Sequence, residues 1–190
     1  PFLAYLVAVG DPASWAWLAL SVFAVIAYSA PGLRFKERPF LDSTTSSLHF
    51  VTPAIVGLAL ASATVTPTAV IVLVAFFLWG MAAHAFGAVQ DIGPDREGGI
   101  GSIATVIGAR STVRLAIGLW VLAGVAMLFT SWPAPLGAVL AVPYIVNAAP
   151  WWNVTDDTSG GTNRAWRRFI TLNYFAGFLA TMILILAWFS

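Results

Sequence analysis

The chain has 190 residues, of which 59% are hydrophobic and only 9% are charged, and its formal net charge at pH 7 is +1. A soluble domain carries roughly 25% charged residues, so this composition indicates a polytopic membrane protein, and so small a net charge gives no reason to expect nucleic-acid binding. The absence of cysteine excludes disulfides, thiolate catalysis and zinc–thiolate sites. We therefore predict an all-α transmembrane helical bundle.

The predicted elements begin with a short apolar run, Pro1–Gly10, about half the length needed to cross a bilayer. We interpret it as the end of a helix, and residues 1–190 as a single transmembrane domain that forms the C-terminal portion of a longer protein. The following apolar runs are separated by proline, glycine and charged residues, and one of them is short and contains Pro143, which predicts a kinked or shallow span. These runs predict about six full spans after the partial one: Ala13–Ala30, Leu48–Val65, Thr68–Val89, Leu115–Thr130, Ala134–Ala149 and Phe169–Phe189.

Charge is concentrated in three predicted loops, Leu33–Ser47, Gln90–Arg114 and Pro150–Arg168. They contain all nine Lys and Arg residues and seven of the eight acids, Asp11 being the exception. Alternation of the spans places all three loops on one face. By the positive-inside rule we assign that face to the cytoplasm, and we expect the membrane to be the plasma membrane of a prokaryote. A functional site should lie on the same face.

The most informative stretch is at the end of the longest apolar run, where Asp91 and Asp95 lie four residues apart beside a glycine-rich segment. Carboxylates at the mouth of a membrane helix indicate function, although the same spacing is also typical of a solvated turn. We expect Gly93-Pro94 to bend the chain there. Two carboxylates together with substrate phosphates are a usual environment for Mg²⁺. His84 lies two turns deeper on the same face, where it is either a hydrogen-bonded packing residue or a proton acceptor.

The first charged loop offers groups that suit an anion: the phenol of Tyr28, the guanidinium of Arg34 and the ammonium of Lys36. The alternative is that its positive charges only set the topology. Arg96 next to the aspartate pair suits phosphate oxygens in the same way. We interpret Asp156 and Asp157 as acids of a solvated loop.

Taken together, these two loops resemble the UbiA superfamily of intramembrane prenyltransferases. The second aspartate motif of that family is similar to Gln90–Gly98 followed by Gly101–Arg110, and its tyrosine and basic loop to Tyr28–Pro39. Within the superfamily, the stretches Tyr28–Pro31, Arg34–Asp42 and His84–Arg110 most resemble the carotenoid branch, the lycopene elongases. The family's first aspartate motif has no counterpart in these residues, and many relatives carry an aspartate where Gly99 stands. We therefore expect the 190-residue chain alone to be inactive.

The resemblance implies an Mg²⁺-dependent prenyltransferase that moves an allylic group from its diphosphate to an apolar acceptor, lycopene or a related carotenoid, among membrane lipids. Asp91 and Asp95 would be the catalytic metal ligands, and His84 a base or a pocket residue. Tyr28, Arg34, Lys36 and Arg96 would bind the diphosphate. Aromatic faces such as Phe86 or Trp79 could stabilise an allylic cation. Two alternatives stay open: a UbiA-type enzyme with an aromatic quinone-precursor acceptor, and a non-enzymatic transporter or assembly subunit that uses the two aspartates for cation coupling.

Overall fold

A computed structural model of the chain describes residues 1–189, and within this range the chain forms helices and no strands, which confirms the all-α prediction. The α-helices in chain order are α1 (Phe2–Val9), α2 (Pro12–Ser29), α3 (Leu41–Leu60), α4 (Pro67–Ala88), α5 (Ile92–Glu97), α6 (Ile103–Met127), α7 (Val142–Ala148) and α8 (Asn163–Phe189). Short 3-10 segments connect several of them, at Phe35–Glu37, Val89–Asp91, Ala134–Ala141, Ala149–Trp151 and Asp156–Thr162.

Five helical stretches of the described chain are long and apolar enough to cross a membrane: Pro12–Ser29, Pro67–Glu97, Ile103–Met127, Ala134–Trp151 and Asp156–Phe189. Helix α3 was also predicted as a span. With 20 residues it has the length of one, but its first two turns are polar and contain the fully buried Asp42 and Ser43. These side chains point into the protein, so α3 is stabilised by helix packing as well as by an apolar exterior.

The charged loops are much shorter than predicted, because their polar residues extend the helices. Helix α3 begins at Leu41, α6 at Ile103 and α8 at Asn163, so the loop boundaries at Ser47, Arg114 and Arg168 were wrong. For α6 the cause is a local cap: Ser102 accepts a hydrogen bond from the Thr105 N–H, and Thr105 accepts one from the Ser102 N–H. Such a cap satisfies N–H groups that would otherwise lack partners at a helix start.

The irregular turn predicted at Gly93-Pro94 lies before these two residues rather than at them. The chain tightens into a 3-10 turn at Val89–Asp91 and then continues as the helix α5, which contains Pro94. A proline inside a helix cannot donate to the carbonyl four residues earlier, here that of Gln90, so the disturbance falls one turn before the proline. Near Pro143, where a kinked or shallow span was predicted, the segment changes from 3-10 to α-helix at Val142.

The helices pack in the order α2, α3, α4, α6 and then the α7 region and α8. Where Ser47 of α3 packs against Gly80 of α4, a Cβ on Gly80 would lie 2.5 Å from Ser47 Oγ, and that hydroxyl donates a hydrogen bond to the Phe77 carbonyl. The centre of the bundle is aromatic: Trp120 is fully buried and stacks on Tyr144 and on Phe169. The core therefore holds α4, α6, α7 and α8 together beneath the charged end.

Helix α2 begins at a cap that does not belong to the charged face. Asp11 accepts a hydrogen bond of 2.8 Å from the Ser14 N–H, and this bond lowers the pKa of the Asp11 carboxyl. The carboxylate also interacts favourably with the positive end of the helix dipole.

Candidate functional site

One cavity of about 470 Å³ opens at the charged end of the bundle, between the ends of α2, α4 and α8 and the segments that follow α2 and α5. The structure brings five of the predicted site residues to its wall. These five residues are Tyr28, Lys36, His84, Asp91 and Asp95. The cavity wall also contains Glu37, Gln90, Ser102 and Trp166.

Asp91 and Asp95 lie on consecutive helical turns, where the 3-10 turn after α4 passes into α5. Two carboxylates that line one cavity repel each other unless a cation lies between them. Within residues 1–189 the ion pairs are Arg34–Glu37 and Arg96–Asp156, so neither aspartate is neutralised by a basic side chain. Their oxygens are hard donors of the type that Mg²⁺ prefers. The described residues contain no group of three or more His, Cys, Asp or Glu side chains that could hold a metal by themselves.

The basic residues of the site divide into two groups. Lys36 lines the cavity together with its neighbour Glu37. Arg34 does not line it; its guanidinium forms an ion pair with Glu37 instead. Arg96 is also directed elsewhere: it contacts Asp156 at 2.8 Å and donates to the Thr105 carbonyl at 2.9 Å. The structure thus brings one of the three predicted diphosphate-binding cations to the cavity.

Asp156, interpreted from the sequence as the acid of a solvated loop, instead links three segments of the protein. Its Oδ1 accepts a hydrogen bond of 2.7 Å from the Ala109 N–H, and its Oδ2 contacts Arg96. Helix α6 is interrupted at Gly108, where φ is +78°, so Ala109 starts a new helical segment that Asp156 caps. Only glycine adopts this backbone conformation without strain. The contact therefore connects the 3-10 segment Asp156–Thr162 to α6 and, through Arg96, to α5.

A buried network continues from the cavity wall into α3. The Tyr28 hydroxyl lies 3.3 Å from Nε2 of His84, and Nδ1 of His84 lies 3.2 Å from Ser43 Oγ. Ser43 Oγ is 3.4 Å from Oδ1 of Asp42, which also accepts the Ser43 N–H at 2.7 Å. His84 is therefore bonded through both ring nitrogens, to Tyr28 of α2 and to Ser43 of α3.

Asp42 is the functional candidate that sequence reasoning did not identify. It is fully buried, and its Oδ2 accepts a hydrogen bond of 2.7 Å from the N–H of Ile103, which is 61 residues away in the chain. A buried carboxylate is costly unless its oxygens are hydrogen-bonded. The only sequence signal was an acid in an otherwise polar first turn of a membrane helix.

The two aromatic residues that were expected to face an allylic cation do not line the cavity. Phe86 is 1% exposed and packs against Trp120 with ring centroids 5.8 Å apart, and Trp79 stacks on Phe169, so both belong to the core. The indole that lines the cavity is Trp166, which is held by stacking on Phe169 at 4.8 Å. A Cβ on Gly87 would lie 3.0 Å from that indole, so the glycine leaves room for it.

Comparison with known proteins gives consistent similarities. A sequence model of the UbiA prenyltransferase family matches residues 2–179. The chain is 52% identical over 186 residues to the "C(50) beta-cyclic carotenoids biosynthesis protein LbtBC" of Dietzia sp. (strain CQ4), an alignment that covers 97% of this chain and 43% of that protein. It is 49% identical over 185 residues to a "Lycopene elongase/hydratase" of Corynebacterium glutamicum, covering 97% of this chain and 64% of that protein.

A more distant relative, the "Lycopene elongase/hydratase" of Haloferax volcanii, is 36% identical over 156 residues, covering 77% of this chain and 51% of that protein. The chain thus spans between 43% and 64% of the length of these three relatives. No solved structure matches the chain significantly.

Proposed function

This chain belongs to the UbiA prenyltransferase family, and from that premise we propose that the protein transfers an allylic prenyl group from its diphosphate to lycopene or a related carotenoid. The names of the relatives, lycopene elongase/hydratase and a C50 carotenoid biosynthesis protein, support this choice of acceptor over an aromatic quinone precursor. The chain is an integral membrane protein. We infer that it lies in the plasma membrane of a prokaryote with its charged face towards the cytoplasm, and that residues 1–190 form one domain of the whole protein.

The observation that carries the proposal is the position of one cavity at the charged end of an apolar bundle, with Asp91, Asp95 and Lys36 in its wall and Trp166 beside them. The lysine would bind diphosphate oxygens. The prenyl chain and the acceptor would occupy the apolar side of the cavity, where exclusion of water protects an allylic cation. The face of the Trp166 indole suits such a cation electrostatically.

The two carboxylates fit a divalent cation, because they present hard oxygen donors to one cavity and no basic side chain within residues 1–189 pairs with them. Asp91 and Asp95 would hold Mg²⁺, whose further ligands would be diphosphate oxygens and water. When bound, the ion would neutralise charge on the leaving diphosphate. Arg34 and Arg96 would then support the site by holding Glu37 and Asp156 rather than by contacting the diphosphate directly.

The experiment uses the purified full-length protein in lipid, given an allylic diphosphate and lycopene. We expect acceptor-dependent formation of an elongated carotenoid, lost on chelation and restored by Mg²⁺. Prenylation of an aromatic quinone precursor in place of lycopene would overturn the choice of acceptor. Failure to transfer a prenyl group to either class would overturn the enzyme assignment and favour a transport role.

A further inference from the structure

We propose that Tyr28, His84, Ser43 and Asp42 form a proton-accepting chain that removes the proton released after prenyl transfer. The inference rests on the proposed function and adds to it the group that completes the reaction. In that reaction the C–O bond of the allylic diphosphate breaks and the electron pair leaves with the diphosphate. A double bond of the acceptor then forms the new C–C bond, which leaves a cation on the acceptor. That cation loses a C–H proton, or adds water and loses an O–H proton, so in either case one proton must be taken up.

The chain of contacts begins in the cavity and ends in the protein interior. Tyr28 and His84 both line the cavity, whereas Ser43 and Asp42 are fully buried behind them. The three successive distances are 3.3 Å from the Tyr28 hydroxyl to His84 Nε2, 3.2 Å from His84 Nδ1 to Ser43 Oγ, and 3.4 Å from Ser43 Oγ to Asp42 Oδ1. These are long hydrogen bonds of the kind that tighten when a substrate fills a site.

The bonds are consistent with one direction of proton movement. Asp42 accepts from Ser43, so the Ser43 hydroxyl keeps its lone pairs free to accept from Nδ1–H of His84. That tautomer leaves Nε2 unprotonated and able to accept the Tyr28 hydroxyl proton. The Tyr28 oxygen can then receive the substrate's proton while its own proton passes to His84. Both imidazolium N–H groups keep the partners they had before.

The buried carboxylate offsets part of the cost of placing a positive charge on His84. Asp42 takes part in neither of the ion pairs of the described chain, and its oxygens are bonded to the N–H groups of Ser43 and Ile103. A positive charge on His84 would therefore lie one serine away from a carboxyl group that no basic side chain of the described chain pairs with, and their attraction would reduce the cost of burying that charge. Lys36, Glu37, Asp91 and Asp95 line the same cavity as Tyr28 and His84. On the buried side, His49 contacts the Tyr28 ring edge-on at 5.0 Å between centroids, and its buried Nε2 has no hydrogen-bond partner. His49 thus lies near the proton-accepting chain of Tyr28, His84, Ser43 and Asp42 but is not part of it.

The test separates bond cleavage from proton removal in the full-length protein. In an allylic diphosphate labelled with ¹⁸O at the bridging position, the label scrambles whenever the C–O bond breaks and re-forms, whether or not product appears. We compare scrambling and carotenoid formation in His84→Gln, which can still reach Tyr28, and His84→Asn, which can still reach Ser43. Neither side chain can carry a proton between them. We expect scrambling to continue while product formation falls by roughly a hundredfold, the usual contribution of general base catalysis.

Matched controls lie nearby. Ser47 is on the same helix, one turn after Ser43, but bonds to the Phe77 carbonyl, so Ser47→Ala should leave product formation unchanged whereas Ser43→Ala should lower it. His49→Gln should behave like the unmodified protein. Continued scrambling also reports that each variant is folded.

Two results would overturn the proposed proton-accepting chain, and a third would overturn the proposed function. If scrambling and product formation fall together in the His84 variants, His84 acts in diphosphate binding or ionisation. If product formation is unchanged in them, no proton passes through His84. A wild-type protein that neither scrambles the label nor forms product would overturn the proposed function itself, and is therefore distinguishable from the first two.

Discussion

Replacing Asp156 tests whether this carboxylate stabilises the protein by capping the helical segment that begins at Ala109. Asp156→Ala removes the cap of Ala109, whose N–H then lies buried without its partner, and a lost N-cap costs about 1 kcal/mol within a range of roughly 0.5–2. The ion pair with Arg96 adds little, because the two side chains are 47% and 36% exposed and such pairs contribute about 0.2–1 kcal/mol. We therefore expect a total loss of about 1–2 kcal/mol.

The measurement is thermal unfolding of the detergent-solubilised full-length protein. For a domain of this size the loss corresponds to a decrease in Tm of roughly 2–8 °C. Asp156→Asn keeps an oxygen for the Ala109 N–H but loses the charge, so it should cost less than Asp156→Ala. The exposed neighbour Asp157 is the control, and Asp157→Ala should leave Tm unchanged. Equal Tm values for the alanine variants of both aspartates would refute the capping role and restore the solvated-loop interpretation.

Two further predictions concern packing and topology. Gly80→Ala should destabilise the protein by about 1–3 kcal/mol, because its Cβ would lie 2.5 Å from Ser47 Oγ in the α3–α4 contact. Gly118→Ala, whose Cβ would have nothing within 4 Å, should be neutral or stabilising. A lower Tm for Gly118→Ala than for Gly80→Ala would contradict this. Because the chain has no cysteine, single cysteines report sidedness, and those on the charged loops should all label from one side of the membrane, opposite to Ala63→Cys. Labelling of any one from the other side would contradict the common face. The exposed positions for this experiment are Arg38, Glu97 and Asp157.

The fold was largely predictable because membrane helices are encoded locally. Apolar runs and proline positions predicted α2, α4 and an irregular span near Pro143, since length and hydropathy decide whether a segment spans. The helix starts at Leu41, Ile103 and Asn163 were not predicted, because their polar residues resemble loops. At Ile103 the Ser102–Thr105 cap is local, but part of the support comes from elsewhere in the chain. Ile103, for instance, receives an acceptor from the α3 helix.

The site was predictable where residues share a helix. Asp91, Asp95 and His84 follow one helical path, so their spacing alone placed them together. Arg34 and Arg96 could not be placed in that way, because each has an acid partner, one three residues away and one 60 residues away. A basic residue near a phosphate motif is equally able to pair with a carboxylate, and only the tertiary structure decides between the two.

The central claim is that Asp91 and Asp95 hold the metal on which prenyl transfer depends. Its most direct test is the rate of Mg²⁺-dependent diphosphate release by full-length Asp91→Asn and Asp95→Asn, with an allylic diphosphate and lycopene. Asparagine keeps the size but removes the charge. Losing one ligand of a catalytic metal costs several kcal/mol of transition-state stabilisation, and each 1.36 kcal/mol is about tenfold in rate, so we predict a decrease of roughly a hundredfold or more for each variant with an unchanged Tm. Near-normal rates for both variants would contradict the metal-site assignment and the prenyltransferase mechanism built on it.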